Sequence, residues 1–258
     1  MKQLSDHIQI ATTNHRGKTV FTYEYGYYQR KYGWEAKAFI AHCLSRWDDE
    51  FEHLMDDFGP GHDVQELEIV DYWGPRLVEK QKENFPQCNP EFYREVWRAK
   101  LRSLILPQKL INDYFEKIGF TLEPVQVEWS EKYFNRFYQF FGTDIKPLPS
   151  DWIGFGSVNR DGDLVFSQEF LEMAKNTDSD RLLQTVSWLL SGFIKNFPLF
   201  SFGSDHTIRI STDLCKTLSK QYPEYFGTGN LDPAWFEGIY RAKFLSAKLP
   251  LELILKVF

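Results

Sequence analysis

Asn89-Pro90-Glu91-Phe92-Tyr93-Arg94-Glu95-Val96-Trp97-Arg98-Ala99-Lys100-Leu101-Arg102-Ser103-Leu104-Ile105-Leu106-Pro107 is the stretch on which the fold class turns. Asn89 carries a side-chain oxygen able to cap the first free backbone donors of a helix. Pro90 follows at a position where no backbone donor is needed. Tyr93, Trp97, Leu101, Leu104 and Ile105 then recur at three- and four-residue spacing, which predicts an amphipathic helix broken by Pro107. A second short helix should run to about Ile118 before Gly119.

The same signals recur elsewhere. From Trp34 to Phe58 the residues Ile40, Leu44, Trp47, Phe51, Leu54, Met55 and Phe58 mark a long helix stopped by Gly59-Pro60. Ser130 should cap a short aromatic helix. Leu182 to Phe197 is strongly apolar, Thr212 should cap a further helix, and Asp232-Pro233 repeats the cap-and-proline start. Strand signals are short. Ile8–Ile10 and Val20–Tyr23 flank the turn Asn14-His15-Arg16-Gly17 as a hairpin, and Ile153–Val158 and Leu164–Phe166 flank Asn159-Arg160-Asp161-Gly162-Asp163 as another. Thr121–Trp129 looks extended, Asp63–Trp73 is a strand or a loop, and Ile208 with Ile210 suggests a last strand. The expected class is α+β, predominantly helical, with small antiparallel sheets or hairpins in each half. Gly142–Asp151, with Pro147 and Pro149, is the expected boundary between an N-terminal α+β domain (1–145) carrying the acidic helix and a mainly helical C-terminal domain (146–258). No internal repeat is visible at this level.

With 258 residues, of which 43% are hydrophobic and 17% aromatic, the chain can bury a substantial core without staples. Cys43, Cys88 and Cys215 are odd in number and scattered, so neither a disulfide framework nor a cysteine zinc site is expected. Nothing at the N-terminus resembles a signal peptide, and the apolar run from Leu182 to Phe200 is too interrupted to span a bilayer. The expected setting is the cytoplasm, with no membrane contact.

The candidate chemistry divides into five places. His42, Asp49 and His53 cluster on one side of the long helix, opposite its apolar face, where a solvated surface explains them better than a metal site. Ser157–Gln168 approximates a calcium loop but lacks the terminal Glu and sits among strand residues, so a hairpin turn is expected. Gly203-Ser204-Asp205-His206 juxtaposes a nucleophile, an acid and a base, and supports an alternative reading as a hydrolase-like enzyme centred on Asp205 and His206. Adjacency in sequence is no evidence of a triad, and no nucleophile elbow, zinc-protease motif, phosphate loop or dinucleotide fingerprint is present. Arg94, Arg98 and Arg102 form a stripe that supports a second alternative, a nucleic-acid-binding module, although Glu91 and Glu95 stand where they would neutralise it.

The fifth place is charge. From Asp48 to Trp73 the chain carries ten acids (Asp48, Asp49, Glu50, Glu52, Asp56, Asp57, Asp63, Glu66, Glu68, Asp71) and no Lys or Arg, within a chain of net charge −6. Such a block repels itself, and a basic partner surface would relieve the repulsion. The expected function is therefore non-enzymatic: a protein-binding or inhibitor protein of the immunity or phage anti-defence type. It would meet a basic protein, such as a nuclease or nucleic-acid-binding protein, with Asp48, Asp49, Glu52, Asp56 and Asp57, and with Tyr72 and Trp73 as aromatic anchors. Direct nucleic-acid binding is not expected, and neither a cofactor nor catalytic or metal-ligating residues are.

Overall fold

Side-chain caps account for where several helices start. Thr22, Asn89, Ser167 and Asp232 each accept a backbone N–H of the first turn, and Pro90 and Pro233 occupy first-turn positions. In the computed structural model of the chain, residues 6–14, 17–33, 35–36, 39–40, 43, 75–76, 78–79, 82, 86–120, 147–191, 199–203, 207–226 and 231–258 are described. The elements of the first half are β1 (His7–Gln9), β2 (Ala11–Thr13), β3 (Thr19–Phe21), α1 (Tyr23–Tyr32), α2 (Pro90–Ser103), β4 (Ile105–Pro107) and α3 (Gln108–Lys117). Those of the second are β5 (Trp152–Gly154), β6 (Gly156–Val158), β7 (Leu164–Phe166), α4 (Gln168–Met173), α5 (Ser179–Ser191), β8 (Phe200–Phe202), β9 (Ile208–Ile210), α6 (Thr212–Phe226), α7 (Pro233–Ser246), β10 (Lys248–Pro250) and α8 (Leu251–Ile254). The class is α+β, with antiparallel sheets of two to four strands.

Four expectations change. The helix begun at Asn89-Pro90 ends at Ser103, not at Pro107. Leu104 turns to an extended conformation, and Ile105–Pro107 pairs with His7–Gln9. Strand alternation explains the change, since Leu104 and Leu106 are buried while Ile105 is exposed. The first hairpin is shorter than expected. β1 leaves it to pair with β4, Ala11–Thr13 pairs with Thr19–Phe21, and Tyr23 opens α1 instead of closing a strand. Ser211, not Thr212, caps α6, through the bond from Leu214 N to its hydroxyl. The second hairpin is also shorter than expected: β5 leaves it to pair with β10, and Gly156–Val158 pairs with Leu164–Phe166 across a turn closed by Asn159 Oδ1 accepting from Asp161 N and Asp163 N, both at 2.9 Å. The strand expected at Ile208 and Ile210 is the third of the sheet β6-β7-β9-β8. Expectations placed on Asp63–Trp73, Thr121–Trp129 and Ser130–Phe141 lie outside the described residues.

The fifth correction is larger: the chain does repeat. β1-β2-β3-α1 is answered by β5-β6-β7-α4, and α2-β4-α3 by α7-β10-α8. The pairings correspond residue by residue. Ile8 faces Leu106 in one half and Ile153 faces Leu249 in the other. The hairpin turns match in detail. Asn14 Oδ1 accepts from Lys18 N as Asn159 Oδ1 accepts from Asp163 N, and Gly17 (φ 78°) and Gly162 (φ 88°) take the left-handed conformation that follows. Thr22 Oγ1 donates to Gln9 O while capping Tyr25 N, and Ser167 Oγ donates to Gly154 O while capping Phe170 N. Both 14-residue helices, α2 and α7, close on the same bond, Leu104 N to Lys100 O in one and Ala247 N to Lys243 O in the other.

The halves are cross-docked. α2 of the first half packs on β10 and α8 of the second, and α7 of the second packs on β4 and α3 of the first. Their buried apolar residues form one continuous cluster, from Ile8 to Val257. Its densest part stacks Tyr25, Tyr28, Tyr32, Phe39, Tyr114 and Phe115 from the first half against Trp235 of the second. Among the described residues, no helix is long and apolar enough to cross a membrane.

Candidate functional site

The arginine stripe divides in two. Arg94 Nη1 lies 3.1 Å from Glu91, and Arg98 Nη1 lies 3.1 Å from Glu91 and 2.5 Å from Glu95. Burial works against the charged Glu91 carboxylate, yet hydrogen bonds and charge from Arg94 and Arg98 hold it below the usual carboxylate range. Both arginines are thus already committed within their own helix. Arg102 turns inward. Its guanidinium stacks over Trp152 of the other half at 4.8 Å from the ring centroid, and Nη1 donates to Thr13 Oγ1 at 3.2 Å. Burial pulls its pKa down, with the nearby carboxylate of Glu95 opposing and Arg98 adding to the shift. The structure therefore gives these three side chains intramolecular partners, and they do not line up as one cationic face.

The residues expected to meet a partner, Asp48, Asp49, Glu52, Asp56, Asp57, Tyr72 and Trp73, lie outside the described residues. So do Asp205 and His206 of the hydrolase alternative, and His42, Asp49 and His53 of the solvated helix face. Ser157–Gln168 is the hairpin already described and offers no cation cage. Among the described residues no group of three or more His, Cys, Asp or Glu could hold a metal ion. Cys43, Cys88 and Cys215 are buried free thiols.

What sequence reasoning missed is a pair of interior lysines. α2 and α7 carry the same tripeptide at the same distance from their caps, Arg98-Ala99-Lys100 and Arg241-Ala242-Lys243. Each helix turns its lysine inward, so that Lys100 is 6% exposed and Lys243 1%. Lys243 Nζ stands 5.0 Å from the Tyr240 ring centroid, and no hydrogen-bond acceptor meets it among the described residues. Burial pushes its ammonium down to about 7, with the Cys43 thiol pushing back. Burial also drives Lys100 well below the ordinary lysine value, and the charge on Lys243 drives it further. The influence is reciprocal at Cys43, whose thiol burial pushes up to about 12 against the opposing charge of Lys243.

An amine of near-neutral pKa is a competent nucleophile or base at pH 7. This one is enclosed in the aromatic core, so its effect among the described residues is energetic: it is an interior amine beside the Tyr240 ring with no hydrogen-bond acceptor. The signal that could have found it was present in the sequence. Lys100 falls three residues after Trp97 and one before Leu101, on the apolar side of the helix.

No family model matches the chain, and neither a curated protein nor a solved structure matches it.

Proposed function

We propose that this protein is a non-enzymatic binding protein, acting in the cytoplasm, that engages a basic protein through the acidic segment 48–73. The observation that carries the reading is the block of ten acids without a single Lys or Arg between Asp48 and Trp73. Uncompensated like charge at helical spacing costs folding free energy and is relieved when a cationic surface covers it. The repeat supplies an internal control. Phe58-Gly59 and His62 align with Phe202-Gly203 and His206, and around that second site the chain carries Lys195, Arg209 and Lys216 among its acids. The acidic run therefore belongs to one half and is not a requirement of the repeated sequence.

Two further features support the reading. Arg94 and Arg98 are neutralised within their own helix, which removes the cationic stripe on which a nucleic-acid module would rely. Tyr72 and Trp73, at the edge of the acidic run, are residue types that commonly anchor interfaces. An inhibitor of a nuclease or of another nucleic-acid-binding protein, of the immunity or anti-defence kind, fits this chemistry. The test is the quadruple reversal of Asp48, Asp49, Asp56 and Asp57 to Lys. A partner captured by the native chain and identified by mass spectrometry should lose its rapid, salt-sensitive association in surface plasmon resonance, while circular dichroism is unchanged. Unchanged on-rate and salt response in the quadruple variant would reject the acidic surface.

A further inference from the structure

We infer that the chain is a fused pseudo-dimer, two copies of one folding unit whose cross-docking face is built to receive a second copy of itself. A two-fold-related pair of units has one diagnostic property: if a patch of one unit touches a patch of the other, the reverse contact is also made. That reciprocity is present here. α2 rests on β10 and α8, and its counterpart α7 rests on β4 and α3. Within each half, α2 also packs on β2 and α7 on β6. Lys100 and Lys243, equivalent in the two units, are both buried.

The sequence carries the same relation. Pro90, Arg98-Ala99-Lys100, Ser103, Leu106-Pro107 and Leu110-Ile111 are answered by Pro233, Arg241-Ala242-Lys243, Ser246, Leu249-Pro250 and Leu253-Ile254. Asn14, Gly17, Val20-Phe21 and Glu24 are answered by Asn159, Gly162, Val165-Phe166 and Glu169. Even a change of volume is compensated. Ala11 and Leu101 occupy the first half where Gly156 and Phe244 occupy the second. A methyl group added to Gly156 would lie well inside the van der Waals surface of the Phe244 ring. The larger side chain on α7 is accommodated by the smaller residue on β6, as expected of two copies that drifted while keeping one packing plan.

The peptide joining the copies is then dispensable for holding them together. A site-specific protease sequence inserted at the exposed Pro147 of the full chain, followed by cleavage, tests this. The two pieces should remain one particle of full-chain mass in size-exclusion chromatography with light scattering, and should re-form that particle when denatured together and refolded. Pieces that elute separately at their own masses after cleavage would overturn the inference. A second measurement avoids the insertion. Gly156→Ala should lower the urea midpoint of the intact chain, and adding Phe244→Leu, which recreates the first-half pair, should restore most of the loss. A double variant no more stable than Gly156→Ala alone would show that the two positions are not counterparts and would overturn the equivalence.

Discussion

Lys243→Met is the substitution that interrogates the interior most directly. Methionine keeps the length and flexibility of the lysine stem and removes its charge. The folded protein holds Lys243 at about 7, against an ordinary value of 10.5. One pKa unit corresponds to about 1.4 kcal/mol, so the displacement sets on the order of 5 kcal/mol against the folded state. The sign follows from proton counting. Between pH 7 and 10.5 the unfolded chain holds a proton that the folded chain lacks, so folding becomes more favourable as pH rises through that window. Below pH 7 the lysine is charged in both states and the whole penalty stands. Lys243→Met should therefore stabilise the protein at pH 7 by about 2–4 kcal/mol, the shortfall reflecting imperfect fit of the new side chain. It should also remove about 1 kcal/mol per pH unit of stability gain between pH 7 and 8.5. Urea unfolding followed by circular dichroism at pH 6.0, 7.0, 7.75 and 8.5 measures both, and taking the difference between variant and wild type at each pH cancels the titration of the unfolded chain's thiols, which begins in this range. Wild type and variant with parallel pH profiles and equal stability would refute the reasoning.

Other outcomes follow from the same contacts. Arg98→Ala should change stability by less than about 1 kcal/mol because its bridges are on the surface, whereas Arg102→Ala, which removes the stack on Trp152, should cost about 1–3 kcal/mol in the same urea titration. Ser103→Ala should cost about 1–2 kcal/mol, because the Ser103 hydroxyl accepts from Lys248 N at 3.0 Å and donates to Ala99 O at 2.8 Å, tying the two halves together. Ellman's reagent should titrate three thiols in denaturant and react slowly in native buffer, because Cys43, Cys88 and Cys215 are all buried. Rapid native reaction would place at least one of them at the surface.

Local chemistry was the readable part of this sequence. Asn89-Pro90 and Asp232-Pro233 announce their helices through caps that need no distant partner, and the Asn159–Asp163 turn closes on its own side chain. What stayed hidden depends on residues far along the chain. Leu104-Ile105-Leu106 continues a helical spacing, and only the strand at His7–Gln9 makes those residues extended. Arg102 reads as one member of a surface stripe until Trp152 is placed beneath it. Lys100 and Lys243 are hidden by an assumption about composition, since lysine is rarely fully buried. The repeat is carried by scattered identities with substitutions between them, and its regularity lies in hydrogen bonds and pairings, which a motif search does not count.

The cross-docking of α2 and α7 also sets an order of events during synthesis. α2 (Pro90–Ser103) is made well before the strand and helix that pack on it, β10 (Lys248–Pro250) and α8 (Leu251–Ile254). A ribosome-bound first half thus carries α2 without that part of its cover until residues 248–254 have emerged. The contacts that complete the core span most of the chain, and such long loop closures form slowly and leave apolar surface open in the interval. A nascent chain stalled before β10 therefore keeps the apolar face of α2 open to aggregation and to chaperones.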